Sequence, residues 1–167
     1  MAAGSTYTPI ATNTLSSATN SVSFTSISGS YTDIIVVFNG AASTSGVTAS
    51  VAFNSDSGTN YSVTYLYGNG SSAGSGRFSS ATKMFLGFIQ VGMGTAFDAN
   101  FIAHVQNYSN STTYKTVLGR SNVASQETEA VVGLWRSTSA ITSMTFTTNT
   151  GNFASGSTFT LYGITAA

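Results

Sequence analysis

The chain has no cysteine. That excludes a disulfide framework and cysteine metal sites, and it leaves the compartment open. Histidine occurs once, at His104. Without a second histidine or a cysteine, neither a transition-metal site nor a Ser-His triad is supported. His104 reads instead as an outward polar residue on a strand. Charged residues make up 6% of the chain, against about 25% in ordinary soluble domains. Arg77, Lys83, Lys115, Arg120 and Arg136 are scattered, and five acidic residues balance them to a net charge of +0. Nucleic acid, which requires basic clusters, is therefore not an expected partner. No apolar run approaches the ~20 residues of a membrane helix. Met1-Ala2-Ala3-Gly4-Ser5 lacks a basic segment followed by an apolar core, so no secretory signal is read there. The single proline is Pro9.

What the chain does have is enough apolar material for a core. At 167 residues, 41% of them hydrophobic and 12% aromatic, it is long enough for one domain with a sizeable interior. Ser, Thr, Gly and Asn make up most of the rest, giving a neutral, hydroxyl-rich surface suited to packing in an assembly. A mildly apolar chain with so little charge is expected to oligomerise.

The pattern along the chain is that of short strands. Residues 1–6 read as an N-terminal tail. Tyr7 to Thr12 is a first strand whose Pro9 demands an edge or an irregular start. Ser21 to Ile27 alternates, with Val22 and Phe24 inward. Ile34-Ile35-Val36-Val37-Phe38 is a β-branched run of the kind buried on both faces. Thr48 to Asn54, Tyr61 to Tyr67, Lys83 to Val91, Asp98 to Tyr108, Tyr114 to Ser121, Ala130 to Trp135 and Ala140 to Asn149 follow. The last strand ends in Phe159-Thr160-Leu161-Tyr162-Gly163-Ile164. Phe159 and Leu161 face one side and Tyr162 and Ile164 the other, as in a central strand between two layers. Gly68 to Gly76 reads as a Gly/Ser loop, flexible or ordered only by a neighbour, and without a following lysine and helix it is no phosphate cradle. Turn signals between strands and the absence of a helical pattern predict a single all-β domain, a jelly-roll-like antiparallel β-sandwich.

Candidate functional residues are few. Tyr61, Tyr65 and Tyr67 share one strand face. Such a stripe serves core or interface packing, or forms a platform for sugars. Trp135, the only tryptophan, reads as a core anchor with an edge at an interface. Asn54-Ser55-Asp56-Ser57-Gly58-Thr59-Asn60 is dense in side-chain oxygens, as calcium loops are, yet it holds one carboxylate, and the same residues are those of a tight turn. Glu127 and Glu129 lie two apart and can share a strand face. A glycosidase needs a carboxylate pair across a cleft, but a polar strand entry explains these two equally well. No catalytic residue, cofactor site or metal site is assigned, and the chain is not expected to be an enzyme.

Several segments resemble a family of small virion structural proteins of tailed bacteriophages. They are Val22-Ser23-Phe24-Thr25-Ser26-Ile27 with Tyr31-Thr32-Asp33-Ile34; Phe53 to Ser62; Val105-Gln106-Asn107-Tyr108-Ser109 with Tyr114-Lys115-Thr116; Trp135 to Met144; and the Phe159 to Ile164 ending. In order and spacing they span nearly the whole chain. The resemblance implies a jelly-roll domain on the outside of a virion, as a capsid decoration (cement) protein, often trimeric, or as the head of a tail fibre. With the first strand beginning by Tyr7 and no coiled coil before it, the decoration role is the expectation. The partners would be the major capsid protein and further copies of the chain, with no membrane. In the tail alternative, exposed Tyr65 and Tyr67 beside the Gly68–Gly76 loop would stack on host surface carbohydrate.

Overall fold

The computed structural model describes residues 6–165. Met1 to Ser5, where no secretory signal is read, and so nearly all of the expected 1–6 tail, lie outside that range. Among the described residues, twelve strands build two antiparallel sheets. They are β1 (Tyr7–Thr14), β2 (Ser21–Phe24), β3 (Asp33–Gly40), β4 (Ala49–Phe53), β5 (Tyr61–Gly68) and β6 (Ala73–Ala81), then β7 (Met84–Gly87), β8 (Ala99–Val105), β9 (Lys115–Val123), β10 (Glu127–Trp135), β11 (Met144–Thr148) and β12 (Thr158–Ile164). The large sheet runs β1-β12-β3-β8-β9-β10-β5-β6 and the small one β2-β11-β4-β7.

Setting aside β5–β6 and β9–β10, the remaining strands order as β1-β12-β3-β8 and β2-β11-β4-β7. That is the strand order of a jelly roll, in which the chain crosses repeatedly between two facing sheets. The two extra hairpins join each other through β10 and β5 and extend the large sheet beyond β8. The fold is therefore a jelly-roll β-sandwich with one broadened sheet.

Alternation explains which residues meet between the sheets. Phe38, Phe101 and Phe159 point inward from the large sheet and Phe146 from the small one, all fully buried or nearly so. The Phe38 ring lies 4.8 Å from that of Phe159 and stacks on Phe101 at 5.1 Å. Phe146 closes on Phe159 at 5.4 Å from the opposite layer. Proline acts as expected: β1 is an edge strand, and its pairing with β12 shifts register between Pro9 and Ala11. At β12, Phe159, Leu161 and Gly163 are buried, whereas Tyr162 and Ile164 are only half-buried. That strand is central but covered on one side, because the sandwich has two layers and not three.

Two stretches differ from their sequence reading. Gly68 to Gly76 is not a flexible loop. Its centre is a tight turn in which Asn69 Oδ1 accepts from the Ser71 and Ser72 amides, and the chain then returns as β6 along β5. Gly74 and Gly76 are needed there because the rings of Tyr67 and Tyr65 lie across the strand. A Cβ on Gly76 would sit 2.4 Å from the Tyr65 hydroxyl. In the apolar run from Lys83 to Val91, only Met84–Gly87 is strand. Phe88 turns the chain at φ 61°, and the following residues cross from the small sheet to the large one.

Candidate interaction surface

The four aromatics singled out in the sequence face inward. Tyr61 (0% exposed), Tyr65 (8%) and Trp135 (2%) are core residues. Tyr61 and Trp135 are cross-strand partners, and their rings stack at 6.3 Å. The Tyr61 hydroxyl accepts from the Phe53 amide at 3.0 Å, and burial pushes its pKa up to about 12. As surface aromatics for a ligand or an interface, these three are therefore corrected. They lie on the face of β5 and β10 that turns toward the small sheet. Tyr67 alone is half-exposed.

The oxygen-rich loop 54–60 behaves as a turn. Asp56 receives the Trp135 indole N–H at 2.6 Å, the Asn60 amide at 2.9 Å and the Gly58 backbone N–H at 2.8 Å. The first two bonds hold its carboxyl below the usual range against a smaller opposing effect of burial. Asn54 and Ser55 take left-handed conformations, at φ 50° and 58°. Asn54 Oδ1 also accepts from the Thr142 and Ser143 amides, tying this loop to the start of β11.

Glu127 and Glu129 do share a face, but it is the inner one. They are 5% and 3% exposed, so the polar strand entry is corrected. Glu129 accepts from the amides of Ile89 (2.8 Å) and Gln90 (3.3 Å) and from the Ser121 hydroxyl (3.1 Å). Glu127 accepts from the amides of Val91 (3.0 Å) and Gly92 (3.3 Å). Four successive N–H groups of the crossing segment thus end on two carboxylates. Among the described residues the segment has no strand partner, so these bonds are what satisfy its amides. Burial, and next the Glu129 charge, raise the Glu127 pKa above its ordinary 4.5.

The sign of the pH effect follows from these two shifts. A carboxyl with a raised folded pKa penalises the fold once ionised, so its contribution is full below about pH 4.5 and is lost as pH rises through the folded value. Asp56 acts oppositely: its contribution is present above 3.8 and is lost below that, as pH falls through its lowered value. Urea unfolding is expected to show stability rising from neutral pH toward about pH 4.5, then falling in stronger acid. Glu127→Gln should flatten the rise; an unchanged profile in that variant would contradict the assignment.

Other sites stand apart from these. His104 is on the outer face, as read, with its Nε2 2.9 Å from Asp33 Oδ2. Lys115 is fully buried, a placement its sequence does not suggest. Its ammonium donates to the carbonyls of Thr113 and Thr138, and burial lowers its pKa.

The surface that sequence reasoning missed is the outer face of the broadened sheet. Leu118 and Val132 are cross-strand partners there, 45% and 52% exposed, and Leu66, 60% exposed, pairs with Ala130 beside them. Val37 and Ile102, half-buried, continue the patch across β3 and β8. Arg120 pairs with Ile102 and Ala130, and Arg77 pairs with Thr64 near the rim. The signal lay in alternate residues of β9 and β10, visible only once their registers are known.

No family model and no curated protein matches the sequence. Solved structures with some likeness include an exo-inulinase from Aspergillus awamori, at 12% identity and a TM-score of 0.48. That alignment covers 95% of this chain and 29% of the inulinase, so the chain spans under a third of that enzyme. Another is a protein of unknown function from Shewanella oneidensis MR-1, at 8% identity and a TM-score of 0.22, covering 100% of this chain and 82% of the other. At these values neither likeness bears on activity.

Proposed function

We propose that this chain is a structural protein of a tailed-bacteriophage virion, a decoration protein that binds the outer capsid surface as a homo-oligomer, with a trimer favoured. The observation that carries the reading is the apolar patch of Leu66, Leu118 and Val132 on a broad sheet. An exposed apolar patch on a nearly uncharged surface supports a role in protein contact. The segments that resemble phage virion proteins supply the setting. The jelly roll provides a rigid two-layer plate, and its neutral hydroxyls let copies and capsid subunits approach without long-range repulsion. The role is one of binding and not catalysis: Glu127 and Glu129 already serve to hold the 89–92 segment.

Two measurements test it. Quantitative mass spectrometry of purified particles should find the protein stoichiometric with the major capsid protein. A few copies per particle would move it to the tail, and absence would end the virion reading. In solution, light scattering at micromolar concentration should show an oligomer. Leu118→Lys with Val132→Glu breaks the patch with a cross-strand ion pair beside Leu66, without changing net charge. That double variant should stay folded yet become monomeric and fail to decorate particles; unchanged assembly would place the contact elsewhere.

A further inference from the structure

The outer face of the small sheet is a different surface, built from hydroxyl groups. Thr145 pairs with Ser23, and Thr147 with Ser21 and Ser50. These side chains bond to one another: Ser23 Oγ lies 3.0 Å from Thr145 Oγ1, and Ser50 Oγ 3.2 Å from Thr147 Oγ1. Lys83 ends the connection from β6 in the large sheet to β7 in the small one. Its ammonium reaches past β4 to donate to Thr147 Oγ1 on β11, at 2.9 Å. The lysine arm therefore bars the face and divides it into two adjoining hollows of about 400 and 520 Å³, both lined by Thr82 and Lys83. Hollows of that size lie within the usual range for small-ligand sites, about 300–1,000 Å³.

The lining selects a chemistry. The larger hollow brings together Ser50, Ser80, Thr148 and Asn149, with Phe85 at its flank. Asn149, which lines the hollow, accepts from the Thr48 amide through Oδ1 at 2.9 Å, so its NH₂ is the group it has to offer a ligand. Hydroxyls give and accept hydrogen bonds alike, which matches the mixed hydroxyl display of a pyranose ring. The Phe85 ring offers an apolar flank for the C–H face of a sugar. A nucleic acid would demand several cations and a row of stacking rings, and this face carries one cation. Among the described residues the one ion pair is that of His104 with Asp33, so the Lys83 ammonium faces hydroxyl groups with no carboxylate of its own. Asp56 lines the smaller hollow, and its charge directs an anionic group toward the larger one.

We propose that the two hollows form one trough for an acidic oligosaccharide, with Lys83 holding a sugar carboxylate and Ser80 and Asn149, on the side of the larger hollow, meeting the ring hydroxyls. This site is separate from the assembly patch, and its test uses the isolated protein. Trigalacturonate and maltotriose are titrated by calorimetry at low salt. Trigalacturonate should bind about tenfold more tightly, the worth of one charge-assisted hydrogen bond. Added salt should shrink that preference. Lys83→Met keeps the stem but not the charge and should bind the two sugars alike with unchanged melting, since Lys83 is exposed. Asn149→Ala should weaken both. The proposal is overturned if neither sugar binds by about 10 mM, if wild type binds both alike, or if Lys83→Met keeps the preference. If Lys83→Met melts early, the salt dependence of wild type decides: a preference that salt leaves unchanged overturns the proposal.

Discussion

Phe38→Ala is expected to destabilise the protein by about 3–5 kcal/mol, a large share of the roughly 5–15 kcal/mol that holds a domain folded. Phe38 is fully buried. Its ring meets four others: Phe159 at 4.8 Å, Phe101 at 5.1 Å, Phe153 at 5.6 Å and Phe88 at 6.3 Å. Two of these, Phe101 and Phe159, are fixed on β8 and β12, which flank β3 in the same sheet. Their backbones are held by ladders on both sides, so they cannot collapse into the vacated space. The loss is thus both transfer free energy and a residual cavity. Urea unfolding should show a lower midpoint with an unchanged slope. Phe97→Ala is the control: that side chain is 56% exposed and its removal should cost less than about 0.5 kcal/mol. If Phe38→Ala cost no more than the control, the ring cluster would not be the centre of the core.

Glu129→Ala is expected to cost about 3 kcal/mol, since it strands several buried donors at once. The amides of Ile89 and Gln90 and the hydroxyl of Ser121 all donate to Glu129. A methyl group cannot replace these acceptors, and water reaches a site with 3% exposure poorly. Glu129→Gln behaves differently. It keeps one carbonyl oxygen for the amides, can donate to Ser121, and removes the charge that raises the Glu127 pKa. That variant should lose about 1 kcal/mol or less near neutral pH. Hydrogen exchange offers a local readout: in Glu129→Ala the amides from Ile89 to Gly92 should exchange faster than those of β8. If the two substitutions proved equally costly, shape and not hydrogen bonding would hold the crossing segment.

How much was legible depends on the range over which a feature is decided. Val22, Phe24 and Phe146 alternate with polar residues, and all three face the core. Their periodicity needs no partner to be read. The same holds for Pro9, whose missing N–H excludes it from a ladder interior, and for the shared face of Tyr61, Tyr65 and Tyr67. The glycine-rich 68–76 stretch misled because its composition matches a linker. Two of its glycines, Gly74 and Gly76, make room for the tyrosine rings that cross them, a contact between strands that composition does not encode.

Tertiary structure alone decided the rest. Lys115, Glu127 and Glu129 have charges that suggest solvent, yet each is buried where a backbone group from another segment (the Thr138 carbonyl for Lys115, the 89–92 amides for the two glutamates) completes its hydrogen bonds. The apolar patch of Leu66, Leu118 and Val132 exists only through the registers of β5, β9 and β10, and the Lys83 trough only through a crossing between sheets. By itself the sequence determined an all-β sandwich with no thiol chemistry and almost no charge, since alternation and composition are local properties. Which face of each strand lies inward, and which side chains therefore meet on the two outer faces, is a long-range property set by pairing.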